Sequence, residues 1–173
     1  MNTYIYEMML ATNQGDLAKE YDLLPFEVLV LDTTRTLCEK IMSLVRFSYS
    51  SNPIQDLKAK IRHIYDIHQL LKDENLFEFF NSEAFELMLV KVGNDDVQSF
   101  KNNNQWLSNH PKDALIFKNP KETWSKIRTT YQNEFKFLVY GELPPENEVL
   151  NTLNQVSKRL RLIELDLQEK SGL

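Results

Sequence analysis

The rhythm of hydrophobic and polar positions changes at Asp32. Ahead of it, Tyr4 to Leu10 is an apolar and aromatic run broken only by Glu7, and Phe26-Glu-Val-Leu-Val-Leu-Asp32 is an aliphatic run entered through Pro25. Both predict strands. Between them, Asn13-Gln-Gly-Asp16 predicts a turn, and Leu17 to Tyr21 one or two helical turns. Two strands do not make a stable sheet alone, so residues 1–32 read as the edge of a larger one.

Beyond Asp32 the apolar positions recur at helical spacing. Asp32 or Thr33 is placed to cap a helix running to about Phe47, with Leu37, Ile41, Leu44 and Val45 on one face. After a short loop, Asn52 and Pro53 open a second helix whose buried stripe is Ile54, Leu57, Ile61, Ile64 and Leu71. So short a connection predicts antiparallel neighbours. An aromatic segment, Leu76 to Phe80, precedes a helix from about Ser82 to Val92, with Gly93 and Asn94 as its end or bend and a further short helix over 95–102. The stretch 102–119 predicts a loop with one embedded turn. Asn119 and Pro120 repeat the start signal for a helix that carries Trp124, Ile127, Tyr131, Phe135 and Leu138 on one face and stops at Gly141. Pro144 and Pro145 introduce the last helix, where Val149, Leu153, Val156, Leu160, Ile163 and Leu167 alternate at spacings of four and three. That stripe is long enough to pack along a bundle or a second chain.

Composition narrows the picture. A chain of 173 residues buries roughly 70% of its unfolded surface in one core, and four Gly and six Pro are few for an all-β domain with many tight turns. The predicted fold is mainly α, formally α+β. A strand remnant at 1–32 leads into a helical bundle of five to seven helices at 33–173. A net charge of −5 gives no global attraction to nucleic acid, so RNA would need a local basic patch. The single cysteine, Cys38, has no disulfide partner within the chain, no metal-spaced Cys/His array occurs, and no apolar stretch approaches the length of a membrane span. The first ten residues lack the basic region of a signal peptide. A cytoplasmic, reducing location is the expectation.

Candidate chemistry concentrates in residues 35–72. Projected at 100° per residue, Lys40 falls at the edge of the apolar arc of its helix, while Glu39, Arg35 and Arg46 lie on the polar side. A lysine so placed either brings its ammonium to a phosphate or lays its stem on apolar surface with the head in water. On the next helix Lys58, Arg62, Asp66 and Gln69 form a polar stripe, and Arg62 with Asp66, four apart, reads as an exposed ion pair. His63 projects to the polar side. His68 falls within the apolar arc, as a hydrogen-bonded core histidine would. In a simple hairpin Lys40 is level with residue 60, which leaves Asp66 roughly 9 Å further along the axis. Direct contact is therefore not expected, although the two residues can line one site with substrate between them. Lys158, Arg159 and Arg161 read as a solvated face.

Thr34-Arg-Thr-Leu-Cys-Glu-Lys-Ile41 followed by Lys60-Ile-Arg-His-Ile-Tyr-Asp-Ile-His-Gln-Leu-Leu71 resembles the paired later motifs of the AbiEii/AbiGii nucleotidyltransferase family, as does the preceding run from Pro25. The resemblance implies a polymerase-β-like core followed by a helical domain. It also implies transfer of a nucleotide to an acceptor, in some members tRNA, by bacterial toxins paired with an antitoxin. By that resemblance Lys40 contacts the nucleotide's phosphates, Asp66 supports the reacting centre, Arg62 orients Asp66, and Glu39 and His63 are supporting residues. Many members have Asp where this chain has His63. The family's Gly-Ser turn and magnesium-binding Asp-x-Asp pair do not occur in the sequence, and Asp95-Asp96, an adjacent pair, reads instead as a helix start. The expectation is thus a truncated or split C-terminal portion, inactive unless a separate chain brings the metal-binding half, with Mg and NTP required only then. The other reading is a helical interaction module without catalysis. It would use the edge at Tyr4 to Leu10 and the last-helix stripe to bind a partner or a second copy.

Overall fold

The computed structural model describes residues 4–25, 32–99 and 105–165. The chain divides into two compact units, Met1–Leu31 and Asp32–Leu173. In the first, α1 (Tyr4–Ala11) and α2 (Gly15–Glu20) pack together around Met9 and Ala18. The strand expected at Tyr4 to Leu10 is therefore a helix. Its Glu7, Met8, Met9, Leu10 and Ala11 are strong helix formers whose summed preference outweighs the aromatic start. Thr12 closes α1 through its hydroxyl on Met8 O, and Asn13 turns the chain at φ 57°. The second expected strand, Phe26 to Asp32, lies outside the described residues except for Asp32, and no strand occurs among the residues described.

The second unit is a helical bundle built around α3 (Thr33–Ser48). Asp32 caps α3 by accepting from the Thr34 amide at 2.7 Å and from the Thr34 hydroxyl at 2.8 Å, which also holds its carboxyl below the usual range. Leu37, Ile41 and Leu44 are fully buried along one face. Each such side chain contributes roughly 1.5–3 kcal/mol of transfer free energy. Around α3 lie α4 (Pro53–Ala59), α5 (Ile61–Leu70), α6 (Glu74–Asn81), α7 (Glu83–Ser99) and α8 (Leu115–Lys118); α9 (Pro120–Asn133) packs on α4 and α5, and α10 (Glu146–Leu160) on α5, α8 and α9.

Four expectations change here. The single helix expected over 53–72 is broken at Lys60, which closes α4 with its amide on Asp56 O and Leu57 O and opens α5, where the His63 amide reaches Lys60 O. Neither Gly nor Pro marks the break. The two helices expected over 82–102 are instead the one helix α7, which passes through a buried Gly93 and carries Asp95 and Asp96 in its last turns. A buried glycine in the middle of a helix costs only about 1 kcal/mol, which the packing of Leu89 and Val92 outweighs. The α10 stripe, offered as a surface for a partner, is spent inside: Val149, Leu153, Val156, Leu160 and Ile163 are all buried in the chain's own core. Leu138, expected on the buried face of α9, is exposed, because α9 ends at Asn133 and a 3-10 turn over Phe135–Leu138 changes the rotation per residue.

Buried polar groups are placed rather than scattered. Tyr131 donates its hydroxyl to Pro144 O at 2.8 Å, and His68 Nδ1 pairs with Thr152 Oγ1 at 2.8 Å, as expected of a core histidine. Arg159 is not on a solvated face. It donates to Phe80 O, Ser82 O and Glu86 Oε1, tying α10 to the junction of α6 and α7. Spacing gave no sign of this, since the partners lie more than seventy positions away.

Candidate functional site

Helix α3 offers one side to α5 and another to α7, and each side carries its own polar cluster. On the α5 side, Lys40 Nζ lies 2.7 Å from Asp66 Oδ2, with the two side chains only 20% and 21% exposed. This corrects the expectation that they stand apart. The break at Lys60 frees α5 from the axis of α4, so the 9 Å offset of a straight hairpin does not apply, and the lysine stem spans the rest.

Two more of the expected residues gather at the pair. Arg62 Nε stands 3.7 Å from the same Asp66 oxygen but is 79% exposed, so it adds an electrostatic bias rather than a fixed bond. His63, one turn before Asp66, is half-buried rather than out on a polar face. Its Nδ1 is buried with no hydrogen-bond partner. Burial and then the charges of Lys40 and Lys60 push its pKa down to about 4, so the ring is neutral at pH 7. Lys60 and Arg46 both stand over the ring of Phe47, at 4.7 Å and 5.0 Å from its centroid. Lys40, Lys60 and Arg62 thus outnumber the one carboxylate of this cluster, Asp66, in a chain whose net charge is −5, while Arg46 also reaches the cluster on the α7 side.

Glu39 does not join them. It accepts from Arg35 Nε at 2.8 Å, while Arg35 also donates to Asp95 Oδ2 at 2.8 Å, a link from α3 to α7. These residues line a cavity of about 260 Å³ together with Ser43, Arg46, Asp96 and Ser99. Burial pushes the Asp96 carboxyl up to about 6 despite the opposing field of Arg46. Neither Arg35 nor Asp96 was singled out as a site residue in sequence, because the partners lie some sixty positions apart. Cys38 is buried and its thiol is pushed up to about 12 by burial, so it is no nucleophile.

A nucleotidyl transfer site needs cations near the phosphates and a carboxylate that positions the reacting group, and the Lys40–Asp66 pair with Arg62 supplies both types. Magnesium needs several oxygen ligands held together. The residues present do not fit it: among the described residues no group of three or more His, Cys, Asp or Glu side chains could hold a metal ion. No helix among them is long and apolar enough to cross a membrane.

One family model matches residues 5–151, most of the chain, and it is described as nucleotidyl transferase AbiEii toxin, type IV TA system. Neither a curated protein nor a solved structure matches.

Proposed function

Since the chain belongs to the AbiEii nucleotidyl transferase toxin family, we propose that it serves as the helical portion of a nucleotidyltransferase and brings the Lys40–Asp66 pair to the reacting site. The observation that carries this reading is the 2.7 Å contact itself, which joins two helices at the motif residues of the family resemblance. Lys40 contacts the nucleotide's phosphates as a point charge. Asp66 holds the lysine in place and supports the reacting centre, and Arg62 biases its orientation.

The 173 residues contain neither a Gly-Ser turn nor an Asp-x-Asp pair, so the metal ligands come from another segment or another chain. By itself the chain is then inactive, and an antitoxin is the expected regulatory partner. The test combines purified protein with labelled NTPs, Mg²⁺ and tRNA, with and without a second polypeptide that carries those motifs. Transfer only in the combined sample, lost in Lys40→Gln, supports the reading. Robust transfer by this chain alone overturns the statement of inactivity, and combined activity indifferent to Lys40 and Asp66 overturns the assignment of the site.

A further inference from the structure

The net charge of −5 hides a local surplus of cations at the corner where α8 meets α9. Lys118, Asn119 and Lys121 at that corner, with Asn154 of α10 across from them, line an open groove of about 520 Å³. Arg161 stands at its rim, where Nη2 donates to the Lys118 carbonyl at 3.3 Å. Lys158 shares that face of α10: it follows Asn154 by four residues and precedes Arg161 by three, a span of roughly 10 Å along the axis. The one carboxylate lining the groove, Glu122, is taken by Lys126 at 2.7 Å. Among the described residues no carboxylate pairs with Lys118, Lys121, Lys158 or Arg161, and all four are exposed.

We propose that this groove binds the phosphodiester backbone of a nucleic-acid strand, with Lys118, Lys121 and Arg161 meeting its phosphates and Lys158 extending the track along α10. Lone surface lysines are ordinarily solvated, but these are gathered into one concavity, whose walls focus their field. The corner that carries them is fixed from beneath: Thr123 donates its hydroxyl to Leu115 O at 3.0 Å, and Ser157 donates its own to Phe117 O. The cations are therefore held together before any ligand arrives. Small molecules are enclosed in mostly apolar pockets, whereas an open cationic groove suits a chain that runs through it. No aromatic ring lines it, so no base is stacked there and the recognised part is the backbone, whatever its base sequence. Asn119 makes no capping bond to α9, which leaves its amide to donate to a phosphate or hydroxyl oxygen. The groove shares no residue with the Lys40–Asp66 pair, and the inference does not rest on the reading of that pair.

Fluorescence anisotropy of the whole chain at pH 7 and low salt, with an end-labelled single-stranded RNA and the DNA of the same sequence, tests it. The double variant Lys118→Gln with Lys121→Gln is expected to weaken binding about tenfold and to reduce the slope of log affinity against log salt by about two. Lys158→Gln should weaken it about threefold. Lys91→Gln removes an equal charge from the exposed side of α7 and should stay within about twofold of the parent. Circular dichroism confirms the fold of each. Equal binding of both strands supports recognition of the phosphates alone, and preference for the RNA adds a contact to its 2′-hydroxyls. Three results overturn the proposal: no binding of either strand, a double variant that binds like the parent, or a loss in Lys91→Gln as large as in the double variant. Competition by a polyglutamate peptide as effective as unlabelled RNA also overturns it, since the groove would then be a surface for an acidic protein. Binding with the expected dependences in a chain that proves inert in every transfer assay leaves the groove standing and removes only the catalytic reading.

Discussion

The two polar clusters on α3 are built from the same residue types and have opposite balances. Facing α5, cations outnumber the one carboxylate at Asp66, and a histidine is kept neutral. Facing α7, Glu39, Asp95 and Asp96 outnumber the two arginines, Arg35 and Arg46, and one carboxyl is pushed toward neutrality. Burial is the first cause of both shifts. The difference teaches that a helix of this kind does not have one polar face: two packed neighbours divide it, and each selects the charge it leaves over. The α5 side holds a surplus of positive charge. The α7 side is a closed link between two helices, with Arg35 as its bridge.

The comparison is broken most sharply by activity. In a reconstituted transfer assay, Lys40→Gln or Asp66→Asn is expected to lower the rate by about a hundredfold, as loss of a positioned charge at a phosphoryl centre does. Glu39→Gln, on the other side of the same helix, should stay within about threefold. Equal losses would mean that the two sides form one site.

Stability separates them next. Asp66→Ala strands the Lys40 ammonium in a site that is only one-fifth exposed, and equilibrium denaturation should show a loss of about 1–3 kcal/mol. Replacing both residues, as Lys40→Met with Asp66→Leu, should recover much of it. A double variant less stable than Asp66→Ala would show that the pair is stabilising in itself.

The pH dependence then sets one side against the other. His63 has a folded pKa near 4 against 6.5, so the unfolded chain binds the extra proton first and stability falls as pH drops from about 6.5 to 4. His68, also lowered by burial, acts in the same direction. Asp96 has a folded pKa near 6 against 3.8, so the folded chain binds the extra proton and stability rises as pH drops from about 6 to 4. At about 1.4 kcal/mol per pH unit each contribution would reach about 3 kcal/mol, which solvent screening of these half-buried groups reduces to about 1–2 kcal/mol, and the two oppose each other. Asp96→Asn should therefore stabilise the protein at pH 7 and steepen its loss of stability in acid, whereas His63→Gln should flatten or reverse that loss. Identical slopes for parent and both variants between pH 4.5 and 7 would refute the opposition. The smallest effect is expected from Arg35→Ala, whose ion pairs are partly exposed: a minor fall in melting temperature that shrinks further in high salt.

Much of the bundle was legible in the sequence. The cap at Asp32, the apolar face of α3, the proline starts of α4 and α9 and the stripe of α10 are local signals, each readable within a turn or two. The motif residues Lys40, Arg62 and Asp66 were readable as types at a spacing. What misled was equally local in origin: aromatic residues at Tyr4 and Tyr6 argued for a strand against the helix formers that follow them, and Gly93 argued for a stop that packing overrides.

By itself the sequence determined the helical class of the described residues from 33 to 160, the apolar faces, the family motifs and the excess of acid over base. Only the tertiary structure decided that Lys40 meets Asp66, that Glu39 turns instead to Arg35, that Arg159 is a part-buried tie and that the α10 stripe faces inward. The reason is physical. Periodicity fixes which side of a helix a residue occupies, because that depends on 3.6 residues per turn. The break at Lys60, and the choice of neighbour on each side of α3, depend on contacts between segments far apart in the chain, for which spacing holds no record.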